Sequence, residues 1–503
     1  MRKTFQVGRT QVYPLGASFQ EEGLRVAAVC DRKKKDGSRC EAGVILYDRK
    51  HTRGIKVPFP EEYRVGAVCS MLILGYHDQD GHYLLYQGEE IYQDPYCKGV
   101  ENLYRYGAVK KTMPRCKAGV PRFDWQADAP LKIPYEDLIL YALHVRGFTK
   151  HMSSEVKHKG TYKGIVEKLP YLRELGINMV LLMPSYEFDE VMPDHTLQTM
   201  EEAVLSYKQK LADNTDEKGD RKPRLNYWGY QKGLYYIPKA AYASGDCAIT
   251  EYKDMVKTLH ENGIAVAMQF YFPPEVSPVE ILDILRHWVL EYHIDGFHVM
   301  GEQIPMELLA GEPLFADTVL LTDRQYQKGQ ERGRSSLGFM NDSFLYDMRR
   351  FLKGDDNLMD SFLYHVRENR LEMGTVNYIA KWDGFRLLDM VSYDRKHNEE
   401  NGEDNNDGTD YNCSWNCGVE GRSQKKSIVE LRTRQMKNAM TLLLLSQGTP
   451  LIYSGDEFAN TQGGNNNPYC QDNATAWVKW HLTQGGRGFR TLTTASPTAI
   501  LKS

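Results

Sequence analysis

The chain has 503 residues, a hydrophobic share of 41%, a charged share of 26% and a net charge of −4. These values describe an ordinary folded polypeptide of roughly two to four domains and exclude a fibrous or disordered one. Both signs of charge are interspersed, so neither nucleic acid nor an anionic membrane is asked for as a partner.

No apolar run reaches membrane-spanning length. The opening MRKTFQVGRTQVYPLG has basic residues with no apolar core behind them, so it does not read as a secretion signal. Nine cysteines, an odd number without metal-ligand spacing, fit a reducing compartment. The closest pair, Cys413 and Cys417, matches no zinc or redox motif. The expected location is cytoplasmic. The 32 tyrosines suit stacking on sugar rings, or serve as core and edge-strand residues.

The first stretch reads as β. RVAAVC (25–30), AGVILYD (42–48) and HYLLYQ (82–87) are short and apolar, and polar turns separate them, the pattern of a small antiparallel sandwich over residues 1–130. DWQADAPLKIP reads as a linker. From about residue 135, short apolar runs alternate with amphipathic helices. LILYALHVRGF is followed by a helix in which Ile165, Leu169, Leu172 and Leu175 share a face and Gly176 suits the C-terminal cap. INMVLLMP is a fully apolar strand. The next helical pattern puts Tyr252, Met255, Val256 and Leu259 on one side, with Thr250 able to cap its start. IAVAMQFYF, DGFHVM and PLIYSGDEF follow as strands. Such alternation over about 340 residues means a parallel sheet, and its length favours a closed (β/α)8 barrel spanning residues 135–480.

Several long segments resemble the α-amylase family, in its isoamylase and glycogen-debranching branch. They are YALHVRGFTKH (141–151), GINMVLLMPSYEFDE (176–190), NYWGYQKGLYYIPKAAYAS (226–244), VSYDRKHNEENGEDNNDGTDYNCSWNCGVEG (391–421) and SQGTPLIYSGDEFANTQGGNNNPYCQDN (446–473). The resemblance covers the chain from about 10 to 480. It implies a carbohydrate-binding-like sandwich ahead of a TIM barrel, α-glucan as ligand and, in active members, hydrolysis of α-1,6 branch linkages. No cofactor or catalytic metal is indicated; some relatives bind calcium, but no motif in this chain makes that case.

Retaining glycoside hydrolysis needs one carboxylate as nucleophile and one carboxylic acid as proton donor. The family's fourth-strand motif resembles DGFRFD. Here it reads Asp295, Gly296, Phe297, His298, Val299, Met300, which puts Met300 at the nucleophile and His298 at its arginine partner. A thioether cannot form the glycosyl ester. With the carboxylate gone, a buried arginine would be an unpaired charge, which a neutral histidine avoids. Met300 is equally plain core filler.

At the third strand, DVVYNH becomes Gln269, Phe270, Tyr271, Phe272, Pro273, Pro274. At the seventh, the His-Asp pair becomes Trp382 and Asp383, with Trp382 either stacking on a sugar or filling the vacated pocket. The fifth-strand proton donor is placed at Asp323 in VLLTDRQY, in preference to Glu312 in GEPLF, which precedes the apolar run. Asp383 and Asp323 are thus the candidate catalytic carboxylates, and Tyr227, Trp228, Tyr230 and Trp382 the candidate sugar contacts. The loops at 391–421 and 446–473 either bond hydroxyls with their amides or close the top of the barrel.

After NATAWVKW, the family continues with a last barrel helix and a C-terminal β-domain. Here residues 481–503 form a Gly/Thr/Ser-rich tail. The eighth strand is therefore expected to present an uncovered apolar flank. The function implied is that of a catalytically impaired, α-glucan-binding debranching-type protein. The alternatives are an active α-1,6-glucosidase using Asp323 and Asp383, and a scaffold or regulatory subunit that forms a homo- or hetero-oligomer through the bare flank.

Overall fold

The computed structural model describes residues 5–47, 53–101, 105–108, 112–192, 224–324, 337–368 and 373–480. Two compact units emerge. One comprises Met1–Trp125, Tyr186–Phe188 and Lys232–Lys253; the other comprises Gln126–Ser185, Asp189–Gln231 and Asp254–Ser503.

The first unit holds two antiparallel sheets. One orders Val7–Gly8, Val68–Leu74, Gly23–Val29 and Gly16–Gln20 side by side. The other runs Ile55–Pro58, Ala42–Tyr47, His82–Gln87, Glu90–Tyr92, with Cys116–Lys117 also paired to His82–Gln87. The three apolar segments singled out in the sequence are thus central strands. Within this unit a buried Lys239 ammonium meets Glu187 Oε1 at 2.9 Å and the Phe188 carbonyl at 2.7 Å, while Glu187 Oε2 accepts from the Ala240 N–H. The ion pair is completed by further hydrogen bonds, the condition under which buried charges are tolerated.

The second unit is a closed parallel barrel of eight strands: β1 Leu140–Leu143, β2 Met179–Leu182, β3 Ala265–Phe272, β4 Gly296–Gly301, β5 Val319–Thr322, β6 Leu337–Met340, β7 Gly374–Asn377 and β8 Thr449–Tyr453. The pairing of Leu140 with Leu451 closes the ring. Side chains alternate between barrel interior and helix layer. Leu140, Ala142, Met179, Leu181, Ala265, Ala267, Val319, Leu321, Val376 and Leu451 belong to the interior cluster. Their neighbours in the strands, Tyr141, Val180, Val266 and Leu320, are buried as well. That two-sided burial is why these strands read as continuous apolar runs.

The helices follow their sequence signals with two exceptions: the single helix expected through Ile165, Leu169, Leu172 and Leu175 is broken at Lys168 into Tyr162–Glu167 and Leu169–Leu175, with Pro170 in the first turn of the second, and the capping residue of a later helix is misplaced. Gly176 caps its helix at φ +79°, and Tyr252, Met255, Val256 and Leu259 are fully buried. The helix carrying them starts at Ala248, so Thr250 lies inside it and does not cap it. Among the described residues no helix is long and apolar enough to cross a membrane.

The expectation of a bare eighth strand is corrected. The tail 481–503 lies outside the described residues, and among those described no α-helix follows β8. Even so, Leu451, Ile452 and Tyr453 retain at most 4% exposure. Tyr141, opposite Ile452 in the register, packs edge-on against Phe148; Trp480 packs against Phe148, Tyr171 and Phe458. Phe458 and Trp480, from the segment after the strand, thus join Phe148 and Tyr171 in one aromatic cluster.

Residues 126–134 belong with the barrel, through a buried polar cluster. His260 Nδ1 lies 2.9 Å from Asp128, and its Nε2 lies 2.8 Å from Asp295. His293 Nδ1 meets the other Asp128 oxygen at 2.6 Å, and Asp295 also accepts from the Leu131 and Val266 amides. With a carboxylate at each ring nitrogen, His260 is satisfied only as an imidazolium. Burial lowers its pKa, but the hydrogen bonds and charges of Asp295 and Asp128 outweigh that and raise it above the ordinary 6.5. A raised folded pKa stabilises fully below the unfolded value and is lost as pH climbs through the folded one. The melting temperature should therefore fall as pH rises above 6.5. His260→Gln should lower it at pH 6 and flatten that fall; an unchanged profile in the variant counts against the imidazolium.

Candidate active site at the barrel rim

The C-terminal ends of β3, β4 and β5 place the sequence-predicted residues together. Gln269 and His298 are register partners on adjacent strands, and Tyr271 partners Met300. By the alternation of the pleat, Gln269 follows Ala265 and Ala267 inward, and His298 and Met300 share the inward face of β4. Asp323 follows the last residue of β5.

These side chains form a continuous chain of hydrogen bonds. The Tyr230 hydroxyl donates to Gln269 Oε1 at 2.8 Å, and Gln269 Nε2 donates to His298 Nδ1 at 3.1 Å. His298 Nε2 donates to Asp323 Oδ1 at 2.9 Å. Each donor meets one acceptor, so a single ring proton on His298 suffices and a neutral imidazole fits. Met300, half-buried beside this chain, offers a weakly accepting sulfur and no proton.

Partial desolvation pushes the Asp323 carboxyl upward. The hydrogen bond from His298 and the positive charges of Lys381 and Arg324 outweigh it and hold the group below its ordinary range. A proton donor at neutral pH requires the opposite displacement. Glu312, the rejected alternative, pairs with Arg286 and caps the turn at Pro313–Phe315.

Asp383 lies six residues beyond the end of β7 and is exposed. Its loop is pinned from behind by buried Arg349, which donates to the Ile379, Phe385 and Asn412 carbonyls at 2.8, 2.8 and 2.9 Å. Burial pushes that guanidinium down to about 10. Arg386 ties the same loop to the end of β8 through Asp456 and the Ser454 carbonyl.

The Trp382 ring stands edge-on to Tyr453 at 4.9 Å, and its Nε1 is buried without a hydrogen-bond partner. Lys381, not singled out from the sequence, sits between Asp342 at 3.3 Å and Asp383 at 3.4 Å. The Tyr378 hydroxyl donates to Asp342 at 2.7 Å. Burial alone would lower the Lys381 pKa, but the two carboxylates raise it, so the ammonium stays charged. A cation beside the seventh-strand pair, on a chain missing its fourth-strand arginine, was the available signal.

Of the four candidate sugar contacts, Tyr227 and Trp228 are corrected as open surface. Tyr227 keeps 2% exposure and stacks on His144 at 4.0 Å; Trp228 keeps 8% and packs edge-on against Tyr230 and Tyr469. Tyr230 and Trp382 are only partly buried.

The loop amides are largely spent on one another. Asn466 donates to the Thr409 carbonyl and Asn412 and accepts from Asn398; Asn401 bonds Asp407, the Asn467 carbonyl, Asn465 and Gln471. They sew residues 391–421 to 446–473. A polar hollow of about 440 Å³ remains, lined by Asp394, Arg395, Lys396, Asn405, Asn406 and Asp410. Among the described residues no cluster of three or more His, Cys, Asp or Glu is placed to hold a metal ion.

No family model matches the chain. It is 32% identical to Isoamylase 1, chloroplastic, of Arabidopsis thaliana, over 93% of this chain and 72% of that protein. It is 31% identical to Isoamylase 1, chloroplastic, of Oryza sativa, over 77% of this chain and 58% of that one. The Glycogen operon protein GlgX homolog of Mycobacterium tuberculosis is 31% identical over 72% of the chain and 57% of its own length. The chain thus spans little more than half of the rice and mycobacterial proteins. A pullulanase of Paenibacillus barengoltzii solved with maltotriose shares the fold, with a TM-score of 0.67 at 19% identity, over 97% of this chain and 81% of that one.

Replacing His298 by Phe removes the donor to Asp323. The Asp323 carboxyl should then titrate at higher pH, followed by carbon-13 NMR of labelled aspartate; an unmoved titration would mean that His298 does not set it.

Proposed function

Because the chain belongs to the isoamylase and glycogen-debranching family, we propose that it binds α-glucan at the rim of its barrel while lacking the nucleophile for hydrolysis. The observation that carries this is Met300 on the inward face of β4, where it faces Tyr271 across the strand pair and lies beside a neutral His298. Retaining chemistry needs an oxygen anion to attack the anomeric carbon. In another hydrolase, loss of the nucleophile alone cost roughly a millionfold in turnover, about 8 kcal/mol of barrier. Asp323 held ionised by His298 is a poor proton donor, which deepens the deficit.

Binding needs neither group. The partly exposed aromatics Tyr230 and Trp382, and the exposed carboxylate of Asp383, are the contacts we assign to sugar. The isoamylase and glycogen-operon relatives support branched α-glucans, such as glycogen and amylopectin, as the ligands we assign. The reading of an active α-1,6-glucosidase through Asp323 and Asp383 loses support from the depressed Asp323 pKa. The scaffold reading loses its motive with the buried flank of β8. The nine cysteines, all free, support a reducing compartment as the setting we infer.

Reducing-sugar release from amylopectin should be undetectable for the purified protein, and its migration in glycogen-containing native gels should be retarded. Met300→Asp together with His298→Arg should raise turnover by at least about a hundredfold over the unaltered chain, a fraction of the loss that nucleophile removal causes. Debranching by the unaltered protein at the pace of ordinary isoamylases would overturn the impairment. Unretarded migration in glycogen gels would overturn the binding.

A further inference from the structure

Lys381 joins three acidic side chains around the barrel rim. Its Nζ lies 3.3 Å from Asp342 Oδ1, 3.4 Å from Asp342 Oδ2 and 3.4 Å from Asp383 Oδ1, and its charge also acts on Asp323. The lysine side chain keeps 14% of its surface exposed, whereas Asp342 and Asp383 keep 52% and 61%. The ammonium is therefore enclosed and the carboxylates face solvent, with Tyr346 below at 5.9 Å from the ammonium to the ring centroid. The backbone that carries it cannot easily withdraw, because the Ile379 carbonyl two residues earlier is held by buried Arg349.

We propose that Lys381 is an internal competitor for bound glucan, its ammonium occupying carboxylate oxygens of Asp383 and Asp342 that sugar hydroxyls would otherwise engage. This rests on the α-glucan reading of the site and makes Lys381 a determinant of its affinity. A neutral hydroxyl donates more weakly to a carboxylate than an ammonium does, so a sugar that grips Asp383 must first loosen the ion pair. The pair is half-exposed and hence modest in strength, which makes Lys381 a displaceable competitor and not a plug. Screening weakens an exposed pair, so added salt should favour the neutral sugar. Lys381 itself need not touch the sugar: it acts through the carboxylates, and the charge carries the effect.

The test is calorimetric titration of the full chain with maltoheptaose in low and high sodium chloride, for the unaltered protein, Lys381→Met and Lys381→Arg. Lys381→Met should bind about three- to fivefold tighter at low salt, the factor expected from an exposed pair, and should lose the salt dependence. The unaltered protein should bind more tightly as salt rises, and Lys381→Arg should behave like it.

Equal or weaker binding by a folded Lys381→Met overturns the proposal while leaving the α-glucan reading intact. Should Lys381→Met fail to fold, the salt series on the unaltered protein decides: affinity that is flat or falls with salt overturns the proposal. Absence of binding by the unaltered protein and both variants overturns the α-glucan reading and this inference with it.

Discussion

The pleat of a closed parallel barrel governs the site. Successive side chains of a strand alternate between interior and helix layer, and the ring closure from Leu140 to Leu451 leaves no edge along which a strand could slip. Gln269 and His298 therefore stand side by side, and Asp323 emerges next to them from β5. A one-residue shift of any of these strands would send its rim residue into the helix layer. The register sets Gln269 beside His298, and Tyr230 and Asp323 complete the hydrogen-bond chain from outside the strands.

That chain shows how the rim of the barrel is kept free of unpaired buried charge. A neutral glutamine and a neutral histidine each use both of their polar ends. Positive charge stands instead on Lys381, enclosed against Asp342 and Asp383. Buried polar groups are tolerated when every member is satisfied, and this arrangement meets the condition without the arginine–carboxylate pair that the resemblance implies for active members.

The loops above the barrel are fixed by the same economy of hydrogen bonds. Arg349 reaches three backbone carbonyls from below, and the asparagines of residues 398–412 and 465–467 pair across two segments more than fifty residues apart. Side chains that a sequence presents as a hydroxyl-binding surface are in this way consumed in holding the surface still. Buried amides leave few donors over for a ligand.

Much of the architecture was legible in the sequence. Apolar runs such as MVLLMP and IAVAMQFYF could only be strands buried on both faces, and the order of motifs matched the order of barrel strands. Gly176 announced a helix end because only a left-handed residue closes it there. Met300, His298 and Gln269 stand out in the sequence only against the motifs that the resemblance supplies. Thr250 misled because capping residues are also tolerated inside helices, and the burial of Ile452 was hidden because distant aromatics at 148, 171, 458 and 480 supply the bulk near it.

The sequence by itself determined the alternating barrel, its antiparallel N-terminal sheets and the residue types carried to the rim of β4, since periodicity and residue type are local properties of the chain. Only the tertiary structure decided that His298 is tied to Asp323, that Lys381 lies between two carboxylates, and that Tyr227 and Trp228 are withdrawn from the surface. Each of those depends on which residues far apart in the chain are brought within a few ångströms, and that is set by barrel closure and loop packing, not by spacing along the sequence.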